Sequence, residues 1–176
     1  MLHKIKIWFK DLKQGFINLK RWFPIIWKDR DWDDDYIFVL LEEKLKNQAK
    51  YIATNGRHLD ANRDSQRMMT CVRLIQKVRY EYYHMEYSDY HESAYHWDDI
   101  PERPNNKKLR VEELWENYDA YFKKYPRVYK QIVNDLSQDQ RKSKTAIAIR
   151  MAWENHHRAR KLLFKLLERH IESWWD

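Results

Sequence analysis

Apolar residues recur along this chain at three- and four-residue intervals, the spacing of one helical face. Ile5, Trp8, Phe9, Leu12, Phe16, Leu19 and Phe23 form the first such stripe, with Lys4, Lys6, Lys10, Lys13 and Lys20 on the remaining surface. The pattern predicts a basic amphipathic helix over residues 3–23, stopped by Pro24. A second helix over 34–53 is expected to bury Ile37, Leu41, Leu45 and Ile52, with Asn55-Gly56 as its stop. Asp33, Asp34 and Asp35 fall at its start, where carboxylates favour the positive end of the helix dipole. Consecutive helical residues point in different directions, so these aspartates read as a cap rather than a metal site.

The central stripe follows Asp60. From there the pattern continues for about seven turns, with Met68, Cys71, Leu74, Ile75, Val78, Tyr82 and Met85 on one face. Residues 88–106 are polar and acidic, broken by Pro101 and Pro104, and read as a solvated loop. A fourth helix near 109–124 is expected to present Val111, Leu114, Trp115, Tyr118 and Phe122, with Pro126 ending it. A helical turn over 128–136 precedes a last helix from about 140 to 174, carrying Ile149, Ala152, Ala159, Leu162, Leu163, Leu166 and Leu167. The expected fold class is therefore all-α, a bundle of five or six helices with long ones near 61–86 and 142–173. Residues 1–24 form a basic arm, and residues 25–176 form the bundle domain with an acidic loop at 88–108.

Composition sharpens this picture. Two glycines and four prolines among 176 residues leave little material for tight hairpins or phosphate-cradling glycine loops. Nine tryptophans and twelve tyrosines exceed what one core of this size needs, which points to aromatic surfaces and a homo-oligomer, a dimer at least. Cys71 alone allows no disulfide framework. No apolar run reaches the ~18 residues of a membrane span, and no signal-peptide core precedes the first helix, so a cytoplasmic protein is expected. The formal charge of +7 is uneven: residues 1–30 carry six lysines and two arginines against two aspartates, whereas residues 84–103 are strongly acidic. The first helix could lie on an anionic membrane or bind nucleic acid through its lysines. Docking on the domain or on a partner subunit needs the same pattern and is the expected arrangement, with a membrane surface the lesser expectation.

Two constellations bear on chemistry. Glu43, Glu81 with His84, Glu116, and Glu154 with His157 follow the ligand order of ferritin-like di-iron bundles. At ~100° per residue most of them fall outside the apolar stripes, so neither metal nor cofactor is expected. His84, His91 and His96 among carboxylates match no ligand spacing, and His156, inside an apolar stripe, reads as a core histidine. The second constellation is Arg63 and Arg67, one turn apart in line with the central stripe, beside Arg57 and His58. Arginine forks grip phosphate and aromatic faces stack on bases, so these four residues are the candidate ligand-binding set for an anionic, base-containing ligand. No catalytic residue is expected.

Trp22-Phe23-Pro24 with Ile26-Trp27, Asp29-Arg30-Asp31-Trp32-Asp33, Leu40-Leu41 to Lys44-Leu45, Gly56-Arg57-His58, the arginine helix centred on Met68, and the ending His170-Ile171 with Trp174-Trp175-Asp176 carry a resemblance. In these motifs, which span most of the chain outside 88–145, the sequence resembles a group of small, functionally unassigned proteins of tailed bacteriophages. The resemblance implies a phage protein acting in the cytoplasm of a host bacterium. By analogy with small phage proteins that antagonise host defence, it implies sequestration without turnover of a nucleotide immune signal, such as a cyclic dinucleotide or an ADP-ribose derivative. The alternative is a structural or partner-binding phage protein, or one that binds nucleic acid through its first helix.

Overall fold

The computed structural model describes residues 2–30, 32–33, 35–56, 59–102 and 105–174, with side chains from residue 5 onward. Among the described residues the chain is mostly helical, with seven α-helices and one two-stranded sheet. It divides into two compact units, Met1–Val72 and Arg73–Asp176.

In the N-terminal unit, α1 (Leu2–Ile26) runs through Pro24 rather than stopping there. The proline's missing N–H falls in the last turn, where few bonds are left to lose, and the Trp27 N–H still donates to the Phe23 carbonyl at 2.9 Å. Helix α2 (Asp35–Asn55) starts on an aspartate cap, since the Asp33 carboxylate accepts the Asp35 N–H at 3.1 Å. The Tyr36 hydroxyl donates to the Ile25 carbonyl and ties the start of α2 to the end of α1. The buried face of α2 holds Tyr36, Leu45, Ala49 and Ile52 with Glu42 and Gln48, whereas Ile37, expected inside, is exposed.

Gly56 ends α2 for want of space. Its N–H donates to the Ile52 carbonyl at 2.7 Å, and a Cβ there would lie 2.4 Å from that oxygen and 2.5 Å from the Ala61 side chain. The close approach brings α3 (Ala61–Arg79) back onto α2, where the Ser65 hydroxyl donates to the Ala49 carbonyl at 3.0 Å. Met68, Cys71, Val72, Ile75 and Val78 are buried as their spacing implies. The helix ends seven residues before the expected end near 86. Glu81 stands in the left-handed region at φ 49° without a glycine, and the chain restarts as a short helix, α4 (Tyr82–Met85), followed by a 3₁₀ turn over Glu86–Tyr90.

The C-terminal unit departs most from expectation. The supposed acidic loop and the first half of the supposed fourth helix form an antiparallel hairpin of β1 (His91–Asp99) and β2 (Lys107–Glu116). The register pairs Tyr95 with Val111 and Trp97 with Leu109, and a bulge falls between Glu92 and Ser93. Only the second half of that expected helix exists, as α5 (Tyr118–Lys124). Pro126, expected to end it, is the first residue of α6 (Pro126–Asp135), where a missing N–H costs nothing. Helix α7 (Lys144–His170) starts at Ser143, whose side chain accepts the Ala146 N–H at 3.2 Å. Tyr118, Tyr121 and Phe122 of α5, Val128 and Ile132 of α6, Leu136, and Ile147, Ala148 and Met151 of α7 form one core. Trp174 is buried at the C-terminal end, and Trp175 lies outside the described residues.

Gly56→Ala should lower the stability of the N-terminal unit by about 1–3 kcal/mol, because the added methyl meets backbone that cannot yield without parting α2 from α3. Urea unfolding with an unchanged slope and an earlier midpoint is the expected result.

Candidate functional site

Of the four candidate ligand-binding residues, Arg57 and His58 lie outside the described residues. The buried position at the start of α3 is Asp64, with Arg63 exposed and Arg67 half-buried. Arg63 pairs with Asp60 at 2.5 Å, and Arg67 with Asp64 at 3.0 Å. At ~100° per residue, Arg67 lies roughly 70° and Arg63 roughly 110° from the centre of the buried face. Arg63 and Arg67 are thus each held by an aspartate three residues earlier on the chain.

In the C-terminal unit a buried carboxylate gathers three donors. Glu86 lies on the 3₁₀ turn after α4, and its carboxylate accepts from the Lys124 ammonium, from the Tyr125 hydroxyl at 2.7 Å and from the Tyr82 hydroxyl at 3.4 Å. The hydrogen bond to Glu86 is the main reason the Lys124 pKa is raised. Burial first, and then the bond to Glu86, raise the Tyr125 phenol. Burial also raises Tyr121 to about 12 and Cys71 to about 11. Cys71 is therefore a protonated, buried thiol, a packing residue.

His84 of α4 stacks on His156 of α7, with ring centroids 4.0 Å apart and planes 15° from parallel, and Trp153 flanks the pair at 4.4 Å from His84. Burial, followed by the neighbouring His84, lowers the His156 pKa. His156 is thus half-buried against other rings, close to the core role its spacing implies. Of the di-iron order, His84 meets His156 rather than Glu154 or His157, and Glu154 faces Arg158 at 3.8 Å. No three His, Cys, Asp or Glu side chains converge to hold a metal ion among the described residues.

The largest feature open to a partner is α1. Its stripe of Ile5, Trp8, Phe9, Leu12, Phe16, Leu19 and Phe23 is between 42% and 65% exposed, so no position on it is covered. The ring contacts of the helix are local, Trp8 on Phe9 at 5.0 Å and Phe23 on Trp27 at 5.3 Å. Lys6, Lys10, Lys13, Lys20 and Arg21 occupy one margin of the stripe, opposed by Asp11 alone among acidic residues of the helix. A second exposed apolar surface is the hairpin face of Tyr95, Trp97, Leu109 and Val111. The α1 surface is legible from spacing. The hairpin has a weaker signal, the two-residue alternation of Tyr95 with Trp97 and of Leu109 with Val111 on either side of the proline- and asparagine-containing segment 100–106. Glu86 has no sequence signal beyond the tyrosines around it.

No family model, no curated protein and no solved structure matches the chain.

The Glu86 cluster sets an alkaline limit. Lys124 and Tyr125 have folded pKa values raised above the ordinary 10.5 and 10.0, so the folded state holds their protons more tightly than the unfolded state does. Their contribution is complete below about pH 10 and is lost as pH rises through the folded values. Glu86→Gln should cost about 2–3 kcal/mol at neutral pH and make the decline above pH ~10 shallower, as read from urea midpoints across pH 7–11.

Proposed function

We propose that the protein is a non-catalytic interaction protein that lies on an anionic membrane surface through α1. The observation that carries this reading is an aromatic stripe exposed at every position and bordered by a row of lysines. A nucleic acid would occupy the lysines and leave Trp8, Phe9, Phe16 and Phe23 in water. A bilayer interface takes both at once, with rings at headgroup level and ammonium groups against phosphates. No helix among the described residues is long and apolar enough to cross a membrane, which fits a helix that lies in the interface plane.

The nucleotide-sequestering reading through Arg57, His58, Arg63 and Arg67 has less support. A phosphate gripped by Arg63 and Arg67 would have to displace an aspartate from each. The phage resemblance supplies a setting for the preferred reading, the anionic inner face of a bacterial membrane.

Flotation of the full chain with vesicles tests it. Vesicles containing phosphatidylglycerol should carry the protein, with binding that weakens as salt rises. Pure phosphatidylcholine should bind far less. Lys13→Gln with Lys20→Gln removes two charges worth about 1 kcal/mol each near the surface, a loss of roughly thirtyfold. Phe9→Ser with Phe16→Ser should lose at least as much while the far-ultraviolet circular dichroism of the rest stays the same. Equal binding to neutral and anionic vesicles, or to neither, would overturn the reading. A thermal shift with cyclic nucleotides in the absence of any vesicle binding would restore the ligand-capture reading.

A further inference from the structure

The outer edge of β2 is the most specific unpartnered surface of the C-terminal unit. The sheet has two strands only, and all ten residues of β2 are exposed. A lone two-stranded ribbon is marginal in water, and a free edge is a template for pairing. β2 also has an unusual charge order. Lys107, Lys108 and Arg110 precede Val111, and Glu112, Glu113 and Glu116 follow it. Turned end for end about Val111, the strand sets Arg110 level with a glutamate, Glu112, on each side of the axis.

We propose that β2 pairs antiparallel with β2 of a second copy about a two-fold axis at Val111, making one four-stranded sheet. Residues opposed across an antiparallel pair share a face, so an axis on Val111 keeps every side chain on its present side. Val111 then opposes Val111 of the partner subunit, and Arg110 opposes Glu112 of the partner subunit, twice over. Within one chain Tyr95 is already level with Val111. The pairing therefore extends a Tyr-Val row into Tyr-Val-Val-Tyr; Trp97 and Leu109 flank it on the same face within each chain, where Leu109 meets Glu113 of the partner subunit. Three or more strands sharing an apolar face is the condition a sheet needs to stand in water.

The other edge is unsuited to the same arrangement. β1 has Glu92 near its start and Asp98 and Asp99 at its end, so pairing it end for end would set acid against acid. Joining β1 of one copy to β2 of the next would leave a free edge at each end and build filaments. The pairing at Val111 closes on two chains. It involves no residue of α1.

Sedimentation velocity on the full chain should show a species of twice the chain mass at micromolar concentration. Arg110→Glu places two acidic pairs across the axis, and Glu112→Arg places two basic pairs, so each variant alone should be monomeric. Mixed in equal amounts, the two variants restore attraction at both contacts and should form a heterodimer. Arg110 also pairs with Asp98 in its own strand neighbour at 3.0 Å, and Glu112 with His96 at 3.4 Å. A hairpin merely spoiled by the changes would therefore fail to recover on mixing. Val111→Cys should cross-link two chains under mild oxidation, since opposed positions on such an axis lie within disulfide reach. A monomeric wild-type chain, variants that stay dimeric, a mixture that stays monomeric, or filaments in place of a closed dimer would each overturn the pairing.

Discussion

The C-terminal unit is assembled against one face of α7, and that face interleaves small residues with large ones. Ala148, Ala152 and Ala159 alternate with Ile147, Met151 and Leu163 along its buried side. Small side chains let α4, α5, α6 and the turn after α4 approach closely enough to bury Tyr118, Tyr121 and Phe122 between them. Asn155, a buried polar residue, interrupts the face. The Glu86 cluster closes the same packing from the side, tying the turn after α4 to the end of α5 through Lys124 and Tyr125. Polar groups inside an aromatic core hold one arrangement against others of similar apolar area, because each must find its partner.

What α7 does not hold is equally informative. The hairpin continues from the turn at Glu86–Tyr90, is closed at its base by the Asn117 N–H on the Tyr90 carbonyl at 2.8 Å, and stacks His91 on Tyr118. Beyond that base its apolar face is open. In the other unit, α1 keeps its whole stripe open. Trp8 of α1 and Tyr95, Trp97 and Trp115 of the hairpin are part of the surplus of tryptophan and tyrosine, and Trp27, Trp32, Tyr51, Tyr80 and Trp153 are exposed elsewhere. The occupants proposed for the two surfaces differ: a matching strand for the charged strand edge, and an anionic apolar interface for the lysine-bordered aromatic helix. Pairing through β2 would also give each assembly two α1 helices, and linked weak attachments bind a surface more tightly than either alone.

Much of the helical framework was legible because long amphipathic periods are hard to mimic. The stripe of α1, the Asp33 cap of α2 and the greater part of α7 all follow from spacing and end residues. The hairpin was not legible. Its bulge sets Leu114 and Trp115 against Glu92, so Val111, Leu114, Trp115 and Tyr118 fall at intervals that imitate a helix. The end of α3 was hidden for a related reason. Glu81 adopts left-handed backbone without the glycine that usually announces it, so Tyr82 and Met85 were counted on a helix that had already stopped. Counting Leu74, which is only half-buried, and leaving out Val72, which is buried, set the apparent stripe nearer Arg63 and Arg67, although the buried phase is that of Asp64. The arginines' closeness in sequence was real, but their carboxylate partners lie one turn earlier, where spacing alone cannot say which group turns inward.

Helix α1 is a folded surface without a cover, which the proposed reading completes with an external interface. Hydrogen–deuterium exchange resolved by peptide tests this most directly, on the full chain free and on phosphatidylglycerol vesicles. Free in solution, amides of residues 5–23 should exchange within seconds to minutes while those of α7 remain protected, and vesicles should protect α1 selectively. Protection of α1 equal to that of α7 in the lipid-free protein, unchanged by vesicles, would contradict the account.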